Sequence, residues 1–232
     1  MIASLFFEVE DVLVNTGPLR RATLLRVLVE DGFAPSDATN LIDGAHSQGS
    51  SNTTRELVRT ALRTHALARD EAAITLLALR ADRHFASLIQ TGVTLAPGAH
   101  AFIALAAARC RLAIVTGLPH AKVDALLSLA ELDGAFEVII AAEDVAAAKP
   151  EPDGYRKALE RMNRKRTLDA RNALALESGS TGARAAHAAG IRCVVVAPFR
   201  VESIVDADAM LTSLVGESPA TLDAMLSIEA AG

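Results

Sequence analysis

The chain has 232 residues, 51% of them apolar, enough to bury a sizeable core in one domain or in a core with a smaller insert. Its net charge of -5 is scattered along the sequence and forms no basic stripe, so nucleic acid is not among the expected partners. Cys110 and Cys193 lie far apart, each inside an apolar run, which argues for two buried, reduced thiols and against a disulfide framework or a thiolate metal site.

The N-terminus is apolar but carries Glu8, Glu10 and Asp11 where a secretory segment would be uncharged, and no run approaches the ~18 apolar residues that cross a membrane. A cytoplasmic location with no membrane partner is expected. The first element is a buried strand over residues 2–9. About a hundred residues separate it from the second strand at 111–115, and almost all of them read as helix. The candidate helices run over 19–30, 36–45, 54–65 and 70–90, with Ser36 and Asp70 placed to cap free amides. Gly32, the polar stretch 44–52 and Pro97-Gly98 punctuate them.

A helix over 99–108 precedes the second strand. Strands at 137–140, 173–176 and 192–196 then alternate with helices at 121–131, 152–163 and 182–189, and 210–214 is a candidate sixth strand. Near-continuous apolar strands predict a sheet covered on both faces, and the alternation predicts right-handed βαβ units. The expected fold is α/β, with a Rossmann-like parallel sheet over 1–16 and 94–232 and an α-helical domain inserted over 17–93. An insert after the first strand has the position of a lid, because open α/β folds bind ligands at the carboxyl ends of their strands.

Four short segments fall at those strand ends. They are Glu8-Val9-Glu10-Asp11-Val12-Leu13-Val14-Asn15-Thr16, then Ile114-Val115-Thr116-Gly117, then Lys149-Pro150-Glu151-Pro152-Asp153-Gly154-Tyr155 at a helix start, and lastly Glu177-Ser178-Gly179-Ser180-Thr181-Gly182 before an alanine-rich helix ending in Ala188-Ala189-Gly190-Ile191. Their order and spacing over essentially the whole chain resemble the haloacid dehalogenase (HAD) superfamily. The likeness is to the branch with a helical cap that includes phosphoglycolate phosphatase-like and β-phosphoglucomutase-like (CbbY-like) hydrolases.

The resemblance implies a HAD-like core, a cap over 17–93, a small phosphorylated metabolite as ligand and Mg2+ as cofactor. In such enzymes a carboxylate attacks phosphorus in line, a second carboxylate handles the leaving-group proton, and Thr, Lys and the metal neutralise the transferring group. Carried onto this chain, the nucleophile falls at Glu8 and the acid/base at Glu10, with Thr116 and Lys149 as the other catalytic positions. Asp11 and Gly117 fall beside the phosphoryl group, and Glu8, Glu10, Glu177 and Ser178 fall at the metal.

Four of these residues differ from the family pattern: Glu8 and Glu10 stand for Asp, Asp11 for Gly, and Ser178 for Asp. Arg55, Arg59 and Arg63 lie on one helical face of the insert. A solvated basic stripe is the plain reading there, and contact of Arg55 with substrate the sharper one. Three functions are consistent with the pattern. The first is a pseudoenzyme of the phosphatase/phosphomutase lineage that binds or acts on a phosphorylated metabolite with phosphoryl transfer weak or lost. The second is an active Mg2+-dependent phosphomonoester hydrolase or phosphomutase using Glu8. The third is a metal-independent dehalogenase-type hydrolase.

Overall fold

In the computed structural model, which describes residues 1–47, 54–64, 70–89, 92–197 and 204–229, the first apolar run forms β1 (Ser4–Phe7), buried at every position. The chain then turns through Asp11 and β2 (Val14–Asn15) into four helices, α1 (Gly17–Glu30), α2 (Pro35–Ser47), α3 (Thr54–Thr64) and α4 (Glu71–Ile89), and returns in β3 (Thr94–Leu95). There follow α5 (Ala99–Ala107), β4 (Arg111–Val115), α6 (His120–Leu129), β5 (Val138–Ile140), α7 (Asp153–Asn163), β6 (Ala173–Glu177), α8 (Ser180–Ala188), β7 (Arg192–Val196), β8 (Ala209–Leu211) and α9 (Pro219–Glu229).

Six strands form one parallel sheet in the order β5-β4-β1-β6-β7-β8. This is the α/β, Rossmann-like architecture that the alternating pattern predicts. The first strand is shorter than expected because Val9 leaves the ladder and its carbonyl accepts the amides of Leu13 and Val14 in a tight turn. The candidate strand at 210–214 is observed shorter and one residue earlier, as β8, with residues 212–214 outside it. The expected cap at Ser36 is corrected: α2 begins at Pro35, whose missing N–H suits a first helical position, so Ser36 lies inside the first turn. Asp70 does cap α4, its Oδ1 accepting from the Ala73 amide at 2.7 Å. The expected helix ends at 65 and 90, and most of the polar stretch 44–52, lie outside the described residues.

Strand alternation sends successive side chains to opposite faces of the sheet. Phe6 packs with Ala113, Ala175 and, edge to face at 6.0 Å, with Tyr155 of α7. Phe7 packs on the other face, edge to face with Phe102 of α5 at 6.1 Å and with Phe136 at 5.8 Å. Each such aromatic pair adds about 0.5–1.5 kcal/mol beyond area burial. Cys110 and Cys193 are buried and unbonded to each other. Among the described residues, no helix is long and apolar enough to cross a membrane.

The chain divides into two compact units, Met1–Asn15 with Thr94–Gly232, and Thr16–Val93. In the helical unit, Leu24 and Leu28 of α1, Leu41 of α2, Leu57 of α3 and Leu77 of α4 share one core. Arg20 lies 4.8 Å from the centre of the Phe85 ring and donates to Thr54 Oγ1 at 3.2 Å, while Thr54 donates to Asp82 at 2.6 Å.

Candidate active site

β1 is flanked by β4 and β6 in parallel register, so the ends of these three strands lie side by side. Glu8 has the parity of Phe6, and Glu177 that of Ala173 and Ala175, so both carboxylates continue the face that packs against α7. Thr116 follows β4 directly. Lys149 arrives on the loop between β5 and α7, with a cis peptide bond to Pro150.

These four side chains meet in one hydrogen-bonded cluster. Glu8 Oε1 accepts from the Thr116 hydroxyl and from the Val9 amide, the latter at 2.8 Å. Lys149 Nζ donates to Glu8 Oε2 at 2.8 Å, to the Val115 carbonyl at 2.8 Å and to Glu177 Oε1 at 2.5 Å, which uses all three ammonium hydrogens. The Tyr155 hydroxyl donates to the same Glu177 oxygen. Exposure is 7% for Glu8, 5% for Thr116 and 1% for Glu177, so the cluster is almost dry.

Burial alone would pull the Lys149 ammonium down, but the Glu177 and Glu8 carboxylates outweigh it and hold the pKa well above the usual lysine range. Burial pushes Glu177 up, and Lys149 beside it only partly opposes the shift. Burial, with the Glu177 charge next, also raises the Tyr155 hydroxyl well above its ordinary value, so it remains a proton donor. The expected sites thus converge at Glu8, Thr116, Lys149 and Glu177. Tyr155 is a fifth member that the sequence pattern does not single out; the available signal is that it is the lone tyrosine, on the first turn of a core helix.

The remaining expected residues lie on the same strand-end loops or in the other unit. Glu10 is half-buried and forms a bridge with Val14. Asp11 has φ 64 and donates its amide to Val14 O at 2.7 Å. Gly117 is exposed, and a Cβ added there meets no atom within 4 Å. Ser178 is half-buried, directly after Glu177. Arg55 belongs to the helical unit, where it pairs with Glu71 at 2.9 Å; Glu71 also holds Arg59 at 2.7 Å.

Magnesium, which the resemblance implies, needs a near-octahedral set of oxygens with one or two carboxylates. Both Glu8 oxygens are hydrogen-bonded, Glu177 Oε1 is shared by Lys149 and Tyr155, and the Lys149 ammonium lies between the two carboxylates. Glu177 Oε2 is buried without a hydrogen-bond partner, but it faces Gly182, where an added Cβ would lie 2.0 Å away. Ser178 offers only a neutral hydroxyl. Among the described residues, no three His, Cys, Asp or Glu side chains are grouped as metal ligands. As arranged, Glu8, Glu177 and Ser178 do not fit a magnesium ion.

Residues 13–190 match the family of haloacid dehalogenase-like hydrolases, a span that holds Thr116, Lys149 and Glu177 and starts just after Glu8, Glu10 and Asp11. Protein CbbY of Cereibacter sphaeroides is 36% identical over 140 residues, 58% of this chain and 59% of that protein. Phosphoglycolate phosphatase of Cupriavidus necator is 29% identical over 194 residues, 83% of this chain and 80% of that protein. The crystal structure of a CbbY mutant from Rhodobacter sphaeroides in complex with xylulose-(1,5)bisphosphate matches with a TM-score of 0.70 at 28% identity, over 96% of this chain and 99% of that one. The chain spans 45 to 59% of the length of the curated CbbY relatives it matches. Phosphatases of this family generally use Mg2+. With the parallel sheet, the strand-end segments and the sequence match in agreement, this chain belongs to the haloacid dehalogenase-like hydrolase family, in the branch of CbbY and phosphoglycolate phosphatase-like proteins.

Proposed function

We propose that the chain binds a small phosphorylated metabolite and that its phosphoryl transfer is weak or lost. The observation that carries this reading is the state of Glu8, the residue in the nucleophile's frame. An attacking carboxylate needs an oxygen directed in line at phosphorus, and a misplacement near 1 Å costs about 10²-fold in rate. Here both Glu8 oxygens are held, one by Thr116 and the Val9 amide and the other by Lys149. The ammonium that would neutralise a phosphoryl group is itself neutralised by Glu8 and Glu177.

On this reading magnesium is a weak or absent cofactor, since Lys149 already supplies the positive charge between the carboxylates. The helical unit Thr16–Val93 acts as the cap that selects the metabolite, and Arg55 serves the ion-pair network on Glu71. The bisphosphate in the CbbY relative supports a phosphorylated sugar as the ligand class.

The test is phosphate release from a panel of sugar phosphates with Mg2+ present, for the wild type, Glu8→Asp and Glu8→Gln. Wild-type turnover is expected at the Glu8→Gln level, with Glu8→Asp raised by about tenfold or more as the carboxylate withdraws toward attacking geometry. Wild-type turnover well above Glu8→Gln would overturn the loss of transfer and establish Glu8 as the nucleophile.

A further inference from the structure

We propose that Glu8 is a built-in occupant of the anion cradle, so that any phosphoryl ligand binds only by displacing this protein's own carboxylate. The inference rests on the preceding reading that the Thr116–Lys149 cluster is where the ligand's anionic group binds. What it adds is a competitor covalently tethered at that place.

Three donors from three separate segments converge on the one carboxylate: the Val9 amide after β1, the Thr116 hydroxyl after β4, and the Lys149 ammonium from the loop before α7. A hydroxyl, an amide and an ammonium around a nearly dry point are the donors that an oxyanion needs, and a carboxylate satisfies them as a phosphate oxygen would. Glutamate can fill the cradle from its own strand end because it carries its carboxylate about 1.5 Å, one C–C bond, farther from the backbone than aspartate does.

Charge makes the occupancy exclusive. Glu8 and Glu177 already set two carboxylates against one ammonium, so a phosphate dianion placed beside them would meet like charge at short range. Ligand entry therefore requires Glu8 to swing out, and the apparent affinity falls by the fraction of molecules in which it has done so. The exchange is one anion for another and breaks no covalent bond.

Titration calorimetry of inorganic phosphate against the full chain separates the possibilities. The variants are Glu8→Ala, which removes the occupant; Glu8→Gln, which keeps its shape but not its charge; and Glu8→Ala with Thr116→Val, which also removes a cradle donor. Glu8→Ala is expected to bind phosphate about tenfold or more tighter than the wild type, with Glu8→Gln between them and the double variant weakened again. If the wild type and Glu8→Ala bind phosphate equally, the occupancy is overturned while the cluster remains an anion site. If no variant binds phosphate, the cluster is not an anion site and the proposed function falls with it. Should Glu8→Ala fail to fold by circular dichroism, the near-isosteric Glu8→Gln decides, and phosphate affinity equal to wild type in that variant overturns the proposal.

Discussion

Gly182 stands in the first turn of α8, where helix propensity alone would favour alanine by about 1 kcal/mol. A Cβ at that position would lie 2.0 Å from Glu177 Oε2 and 2.1 Å from its Cδ. That side chain is tied at its other oxygen by Lys149 and Tyr155, so moving away means breaking a buried ion pair. Gly182→Ala is therefore expected to destabilise the protein by about 1–3 kcal/mol in urea unfolding, the reverse of its helix propensity. Combined with Glu177→Ala, the same substitution should cost little beyond the single Glu177 change, because the obstructing atoms are gone. A stabilised Gly182→Ala would show that Glu177 moves without penalty. The residue types of this site were largely legible: the family frame puts its glycine at Asp11, and that residue has φ 64, a conformation that Asp tolerates better than most side chains. Where the Glu8 carboxylate goes was not legible. Besides the adjacent Val9 amide, its side-chain partners come from residues more than a hundred positions away, and side-chain length alone does not choose among them.

At the scale of elements, the loop that delivers Lys149 is anchored by Asp144, which links β5, α6 and α7. Its Oδ2 accepts from the Ala141 amide at 3.0 Å and lies 2.7 Å from His120 Nε2, and its Oδ1 accepts from Arg161 at 2.5 Å. Burial would push this carboxyl up, but the Ala141 amide, Arg161 and His120 together outweigh it and hold the pKa at about 2, against an ordinary 3.8. A carboxyl depressed in the folded state contributes stability that is complete above its unfolded pKa and is lost as pH falls through the folded one. The contribution is about 2 kcal/mol near neutral pH. The urea midpoint of Asp144→Asn should thus fall below wild type at about pH 6, and the gap should close between about pH 4 and pH 2. A gap unchanged across that window would mean that Asp144 acts through packing and not through its charge. The parallel strands were legible because each is a near-continuous apolar run closed by turn residues. The β2–β3 pair was not, since two-residue strands carry no period. Nor was α9, which buries Pro219, Leu222 and Leu226 among its described side chains and so shows a thin apolar stripe.

At the scale of the whole molecule, each unit has a core drawn from its own residues. The sheet face carrying Phe6 and Tyr155 uses only residues from Met1–Asn15 and Thr94–Gly232, and the helical core uses only residues between Thr16 and Val93. The chain leaves the α/β unit at Asn15 and re-enters it at Thr94, and these two residues are direct partners in the antiparallel β2–β3 ladder. Adjacent antiparallel partners can be joined by a two-residue hairpin loop, for which Asn-Gly is favoured because both central positions need positive φ. Removing residues 16–93 and joining Asn15 to Thr94 through Asn-Gly should leave an α/β unit that folds by itself. The six-stranded sheet and the aromatic contacts of Phe6 and Phe7 all survive the deletion. The expected result is a single cooperative urea transition with the far-ultraviolet circular dichroism of a mixed α/β protein. A broad, non-cooperative transition would show that the helical unit contributes to the stability of the sheet, and the two cores would then have to be treated as one folding unit.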